Sequence, residues 1–339
     1  MDQRRLPAHD RPVADIKFFP DGERLVTASD DGECVVWEAA LGQRLQVLRH
    51  EARLFQVQVF PDGDRLATLG SDQRVVIWSV SFGDALQTMD LRGTCDAHRA
   101  LRVLAGGAKI ATGVSYMPDD PGVIWSVSDG KPSVLLEHAG GTLRFLESSP
   151  CGWKLATADY ERISLWDVAG ERLQHRLQRP FSWTPGVALS IGGAKVLHSS
   201  GRNILIWDGL TGKLAGSIAL DAEVISFVLL GDGRRLVALT RSNASVWDVD
   251  LGERLRGLDG ATGGNMQRLA TSATGDLVAA CGAPPSLRRS QQVAVWDTSS
   301  GRRLRSTQES SLQPWLGADL LPCSIAVAPM GAIEPWLLH

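Results

Sequence analysis

Histidine and carboxylate side chains do most of the acid–base and metal chemistry open to a protein near neutral pH. Here four histidines stand at matching places: His9, His50, His98 and His138 each precede a short apolar run, and Asp31, Asp72 and Asp119 follow the first three. An imidazole held against a carboxylate supports either a metal site or a general base oriented by its acid. The surroundings complete neither. The chain has no His-Glu-x-x-His run and no Gly-x-Ser-x-Gly elbow. Gly209-Leu-Thr-Gly-Lys213 places two residues between its glycines where a phosphate loop needs four, and it reads as a hairpin turn. His175 and His198 stand alone in strand-like segments and read as surface or packing residues. Asp21, Asp62 and Asp232, and the pairs Asp30–Asp31 and Asp119–Asp120, fall where Asp bonds its own backbone in a turn. No catalytic residue, metal site or cofactor is assigned.

Composition narrows the partners. The chain has 339 residues, 44% apolar and 22% charged, the balance of a soluble globular protein. A net charge of −3 leaves no basic excess to neutralise phosphates, and Arg288–Arg289 is too short for a basic patch, so no nucleic-acid partner is expected. No uncharged apolar run of about 20 residues predicts a membrane span. The start MDQRRLPAHDRP lacks the apolar core of a secretory signal. The five cysteines are far apart and form no Cys-x-x-Cys, which fits free thiols in a reducing, cytoplasmic setting.

The elements that must position these residues are announced by tryptophan. There are 11 Trp against 2 Tyr, and Trp37, Trp78, Trp125, Trp166, Trp207, Trp247 and Trp296 follow one another at intervals of 41, 47, 41, 41, 40 and 49 residues. Each closes a short apolar run (CVVW, VVIW, GVIW, ISLW, ILIW, ASVW, VAVW). A Gly follows five residues later in six repeats and four later, at Gly170, in the fourth. Upstream of each Trp lies a turn such as Pro20–Gly22 or Pro61–Gly63, then an alternating run such as RLVTA, RLATL or KLATA. Apolar runs separated by Gly-containing turns read as antiparallel strands joined by hairpins, about four per repeat. Stacking such sheets face to face buries their faces, and the indole fills the gap between neighbours.

These repeats resemble the WD40 family of β-propellers over residues 9 to about 308. The Trp-Asp pair appears at Trp166–Asp167, Trp207–Asp208, Trp247–Asp248 and Trp296–Asp297, while Trp37–Glu38, Trp78–Ser79 and Trp125–Ser126 depart from it. The resemblance implies an all-β fold, a seven-bladed β-propeller of four-stranded antiparallel blades, with repeats at about 9–49, 50–97, 98–137, 138–178, 179–219, 220–259 and 260–308. It also implies a buried tetrad of His, Ser/Thr, Asp and Trp, matched in the first repeat by His9, Ser29, Asp31 and Trp37. The second repeat has Gly70 at the Ser position.

Two closures fit the sequence. Either seven blades close with the apolar segment 309–339 outside, or that segment, whose Pro329–Gly331 matches Pro20–Gly22, joins residues 2–8 in a defective eighth blade. The first strands (IKFF, VQVF, LRVL, LRFL, VALS, SFVL, QRLA) repeat no acid or His, which weighs against an enzyme or small-ligand site in the channel. The resemblance implies instead a non-catalytic scaffold that binds proteins or peptides at its loop face, alone or as the sensor part of a larger signalling protein. Two long loops, Val114–Pro121 and Gly282–Gln291, are expected on that face. The partner-binding candidates are Arg53, Arg99, Tyr116, Tyr160, Trp183, Arg241 and Arg288.

Overall fold

A computed structural model describes residues 9–11, 13–38, 43–91, 100–113, 122–136, 143, 145–159, 162–178, 186–260, 268–272, 275–282 and 292–308. The fold is an all-β, seven-bladed propeller, each blade a four-stranded antiparallel sheet with its strands side by side in chain order. In blade 1 these are Val13–Phe18, Arg24–Ser29, Glu33–Glu38 and Arg44–Arg49. Four blades belong to a unit spanning Met1–Phe181 and three to a unit spanning Ser182–His339. Residues 2–8 and 309–339, on which an eighth blade would draw, lie outside the described residues. Among the described residues, no helix is long and apolar enough to cross a membrane.

Burial explains the run types. Middle strands are covered on both faces and read as continuous apolar stretches, as in Cys34–Trp37, buried at all four residues. Fourth strands have a free edge and alternate, as in Ala85–Asp90. Each blade also carries a bulge at one place, where the third strand's Trp meets the fourth: the register shifts at Val36/Trp37, Ile77/Trp78, Ile124/Trp125, Leu165/Trp166, Ile206/Trp207, Val246/Trp247 and Val295/Trp296. A bulge bends a strand and interrupts an exposed edge that would otherwise template pairing with another chain.

The indoles join successive blades within a unit. Trp78 packs in one cluster with Val26, Val36 and Leu48 of blade 1. Trp125 packs with Leu69 and Ile77 of blade 2, and Trp166 with Ala111 and Ile124 of blade 3. In the second unit Trp296 packs with Val237 and Val246 of blade 6. A buried aromatic contributes on the order of 2–3 kcal/mol by area alone, so each wedge adds to the cohesion between blades.

Candidate functional site

The second strand places a hydroxyl beneath the indole. Trp37 pairs with Leu25, so the indole reaches along the ladder over the next residue on that face, Thr27. Trp37 Nε1 donates to Thr27 Oγ1 at 3.0 Å, Thr27 lies 2.7 Å from His9 Nε2, and His9 Nδ1 lies 2.9 Å from Asp31 Oδ2. The Asp31 carboxylate can only accept, so His9 Nδ1 carries the proton facing it, while the Thr27 oxygen accepts from the indole and shares its other bond with His9 Nε2. Asp31 also accepts from the Glu33 N–H at 2.9 Å. Burial opposes its ionisation, but that N–H and His9 hold its carboxyl below the usual range.

Ser29 is not the hydroxyl of this network, which corrects the expectation from sequence. It lies two residues beyond Thr27, about 6.6 Å further along the strand and past the indole's reach. Its hydroxyl donates to the Arg11 carbonyl at 3.0 Å and accepts the Asp31 N–H. The second blade is corrected the same way. Thr68 supplies the hydroxyl, 2.7 Å from His50 Nδ1 and 2.9 Å from Trp78 Nε1, and His50 Nε2 lies 3.3 Å from Asp72. Gly70 is the residue this geometry requires, since a Cβ there would sit 2.4 Å from His50 Nε2. Burial pushes the His50 pKa down, so the ring is neutral at pH 7.

The signal missed in the sequence is a Thr two residues after the one paired with each Trp. It recurs as Thr112 under Trp125 at 2.8 Å and Thr157 under Trp166 at 2.9 Å. In the second unit the position changes. His198 accepts from Trp207 at 3.3 Å, Ser245 from Trp247 at 3.1 Å, and the Asp259 carbonyl from Trp296 at 2.9 Å. His98, Asp119 and His138 lie outside the described residues.

His9, Asp31 and Glu33 also hold ligand atoms within 4.8 Å of one another, the one such group among the described residues. Their bonds are already committed, Glu33 to Arg49 at 3.2 Å and the other two within the network above.

The first strands carry charge that the short motifs quoted from sequence cut off at each end. Asp15 is buried and accepts Ile16 N, Lys17 Nζ and, across the blade boundary, Val57 N at 3.1 Å. Gln56 accepts Leu101 N at 2.6 Å, and Arg102 donates to Glu147 at 2.9 Å. Each group ties one blade of the first unit to the next. Gly209–Lys213 is a hairpin turn between Asn203–Asp208 and Leu214–Ala219, with Asp208 accepting the Leu210 and Thr211 N–H groups.

Of the partner-binding candidates, Arg53 and Arg241 are described; Arg99, Tyr116, Tyr160, Trp183 and Arg288 lie outside the described residues. Arg53 belongs to the first unit and keeps 59% of its side chain exposed while paired to Asp30 in the blade 1 turn. Its carbonyl accepts the Ser71 N–H at 2.8 Å, which fixes the backbone against the blade 2 turn. Arg241 belongs to the second unit, is 77% exposed and lies 3.5 Å from Glu223.

The family model described as "WD40: WD domain, G-beta repeat" matches residues 2–38, the stretch that holds the first His–Asp–Trp network. Its first repeat thus carries the WD40 signature, on a seven-bladed propeller. The chain is similar to the beta subunit of a guanine nucleotide-binding protein of Solanum tuberosum, 47% identical over 45 residues, 13% of this chain and 12% of that protein. It is also similar to a subunit of eukaryotic translation initiation factor 3 of Aspergillus niger, 28% identical over 114 residues, 29% of this chain and 15% of that protein. The chain thus spans 12% and 15% of these relatives' length.

Proposed function

We propose that this WD40 propeller is a non-catalytic docking platform that binds protein or peptide partners where the second-to-third turns and the blade connectors emerge. The observation that carries the reading is Arg53: exposed, yet held by Asp30 of the preceding blade and by a backbone bonded to its own blade's turn. A guanidinium already ordered in the free protein loses little freedom on binding, and Arg is over-represented among residues that dominate interfaces. Arg241 of the second unit is also exposed and lies 3.5 Å from Glu223 of its own blade. Arg99, Tyr116 and Tyr160 of the first unit and Trp183 and Arg288 of the second are further proposed contacts. Both relatives are by name one subunit of a larger protein, a designation that fits assembly with other chains. The first-strand charges support a positioning role rather than catalysis, because Asp15 and Glu147 are bonded to neighbouring blades.

The test is affinity purification with wild type and the R53A, R241A, W183A and R288A/R289A variants, followed by titration of any recovered partner. An interface centred here loses about 30-fold in affinity, roughly 2 kcal/mol, at one or more of these positions. Wild-type affinity in all four variants sinks the proposed face.

A further inference from the structure

Among the described residues of the second unit, exposed leucines gather on one rim. Leu210, Leu214, Leu251, Leu255 and Leu304 are 69%, 52%, 70%, 43% and 46% exposed. They sit on the third-to-fourth hairpins of three successive blades: Leu210 and Leu214 on blade 5, Leu251 and Leu255 on blade 6, Leu304 on blade 7. The hairpins touch. A Cβ at Gly252 would lie 3.9 Å from the Ser217 carbonyl, and one at Gly301 would lie 2.5 Å from the Gly257 carbonyl. The Asp259 N–H donates to the Gly301 carbonyl at 2.9 Å. Each turn thus lies against the fourth strand of the preceding blade, and the leucines form a row. The blade 6 fourth strand, Arg254–Gly257, is exposed at every residue. Leucines are exposed on fourth strands of the first unit too, at Leu45, Leu86 and Leu135, so what singles out this row is the chain and the charge beside it.

Two observations select the cover. The chain leaves blade 7 on the strand Arg303–Gln308, the one that bears Leu304, and residues 309–339 follow with Trp315, Leu316, Leu320, Leu321 and Trp336. At ~3.3 Å per extended residue this length is ample to reach blade 5. Charge points the same way. Lys213, Arg254, Arg256, Arg302 and Arg303 are exposed along the row. Of the acids on these hairpins, Asp208, Asp248 and Asp297 accept N–H groups of their own turns and Asp250 pairs with Lys195, leaving Glu253. Residues 309–339 contain Glu309, Asp319 and Glu334 and no Lys or Arg.

We propose that residues 309–339 fold back in cis along this rim, setting their apolar side chains on the leucine row and their acids against its arginines. Hydrogen-exchange mass spectrometry on the full chain at low concentration tests it. Peptides from 309–339 exchange about tenfold or more slower than an unstructured chain in wild type. L251D/L255D returns them to the unstructured rate while blade peptides keep wild-type protection, and R254E/R256E speeds their exchange without removing an apolar contact. Three results would overturn the proposal: unstructured-rate exchange in wild type, protection that survives both variants, or protection that appears only as the chain dimerises, which would give the row to a second copy.

Discussion

Replacing Thr27 with Val keeps the shape of the side chain and removes one oxygen. That oxygen accepts from Trp37 Nε1 at 3.0 Å and lies 2.7 Å from His9 Nε2, so two polar atoms lose their partner at once. Trp37 is 1% exposed and the His9 side chain 1%, so water does not replace the lost bonds. Each buried polar atom left without a partner costs about 1–3 kcal/mol, and the central expectation for the pair is roughly 3 kcal/mol. Ser29→Ala also removes a hydroxyl, but the atoms it releases, the Arg11 carbonyl and the Asp31 N–H, belong to an exposed and a half-buried residue, which water reaches more readily than the Thr27 site. One net hydrogen bond, about 1 kcal/mol, is the expected loss there.

Thermal unfolding followed by far-UV circular dichroism separates the two. With an unfolding entropy of ~2.1 cal/mol/K per residue, 339 residues unfolding together translate each kcal/mol into about 1.4 °C. Thr27→Val then lowers Tm by roughly 4 °C and Ser29→Ala by roughly 1.5 °C. Exchange of the Trp37 indole N–H gives a local readout, faster in Thr27→Val and unchanged in Ser29→Ala. Equal Tm losses, or a larger loss for Ser29→Ala, would show that Thr27 is not the hub of the network and refute the reasoning.

His50 gives a pH dependence of definite sign. Its pKa is lowered in the folded chain by burial, so the unfolded chain takes up the proton first and the neutral ring's contribution is complete above about pH 6.5. Stability contributed by His50 is lost as pH falls from there towards the folded pKa; a Tm profile between pH 7 and 5 shows this decline, and His50→Asn, less stable throughout, flattens it. Gly70→Ser, which copies the residue of blade 1, is expected to destabilise blade 2, because a Cβ there meets His50 Nε2 at 2.4 Å and Asp72 Oδ1 at 2.6 Å; a Tm at or above wild type would show that the ring moves aside freely. Gly209→Ala drives a Cβ to 1.9 Å from the Gly193 carbonyl and is expected to abolish soluble expression, whereas Gly192→Ala meets nothing within 4 Å and costs only the left-handed backbone, about 1–2 kcal/mol. Comparable expression and Tm for these two would contradict the close approach of the turn.

Much of the fold was legible because its period is carried by a rare residue type. Seven tryptophans closing β-branched runs mark the third strands, and the glycines after them mark the turns, as at Gly83 and Gly212, whose φ values are 77° and 68°. The site was less legible, for a geometric reason. Choosing the hydroxyl partner of Trp37 requires knowing the strand register to one rung, since Thr27 and Ser29 share a face and differ only in distance along the strand. The same limit hid Asp15 and Glu147. Both fall just outside the apolar runs that mark their strands, and the first strand of blade 1 has a register shift between Val13 and Asp15 that no apolar pattern reveals. The leucine row was hidden too, because Leu255 and Leu304 look like core residues of a strand until the bulge opposite Trp turns that position outward.

Threonine under the indole also divides the chain along its length. Blades 1 to 4 use Thr27, Thr68, Thr112 and Thr157, a short hydroxyl that satisfies the indole N–H from within the same sheet. Blades 6 and 7 have Ala238 and Ala280 at that rung, so Trp247 and Trp296 turn to Ser245 and to the Asp259 carbonyl, the latter supplied by the preceding blade. An N–H satisfied across a blade boundary depends on that boundary staying closed, so in blade 7 hydrogen bonding and inter-blade packing become one cooperative interaction. The first unit, by contrast, satisfies its indoles inside each sheet and joins its blades through separate bonds from Asp15, Gln56 and Arg102. The exposed Arg53, proposed above as a docking residue, is therefore carried on blades whose internal networks and mutual ties rest on separate bonds.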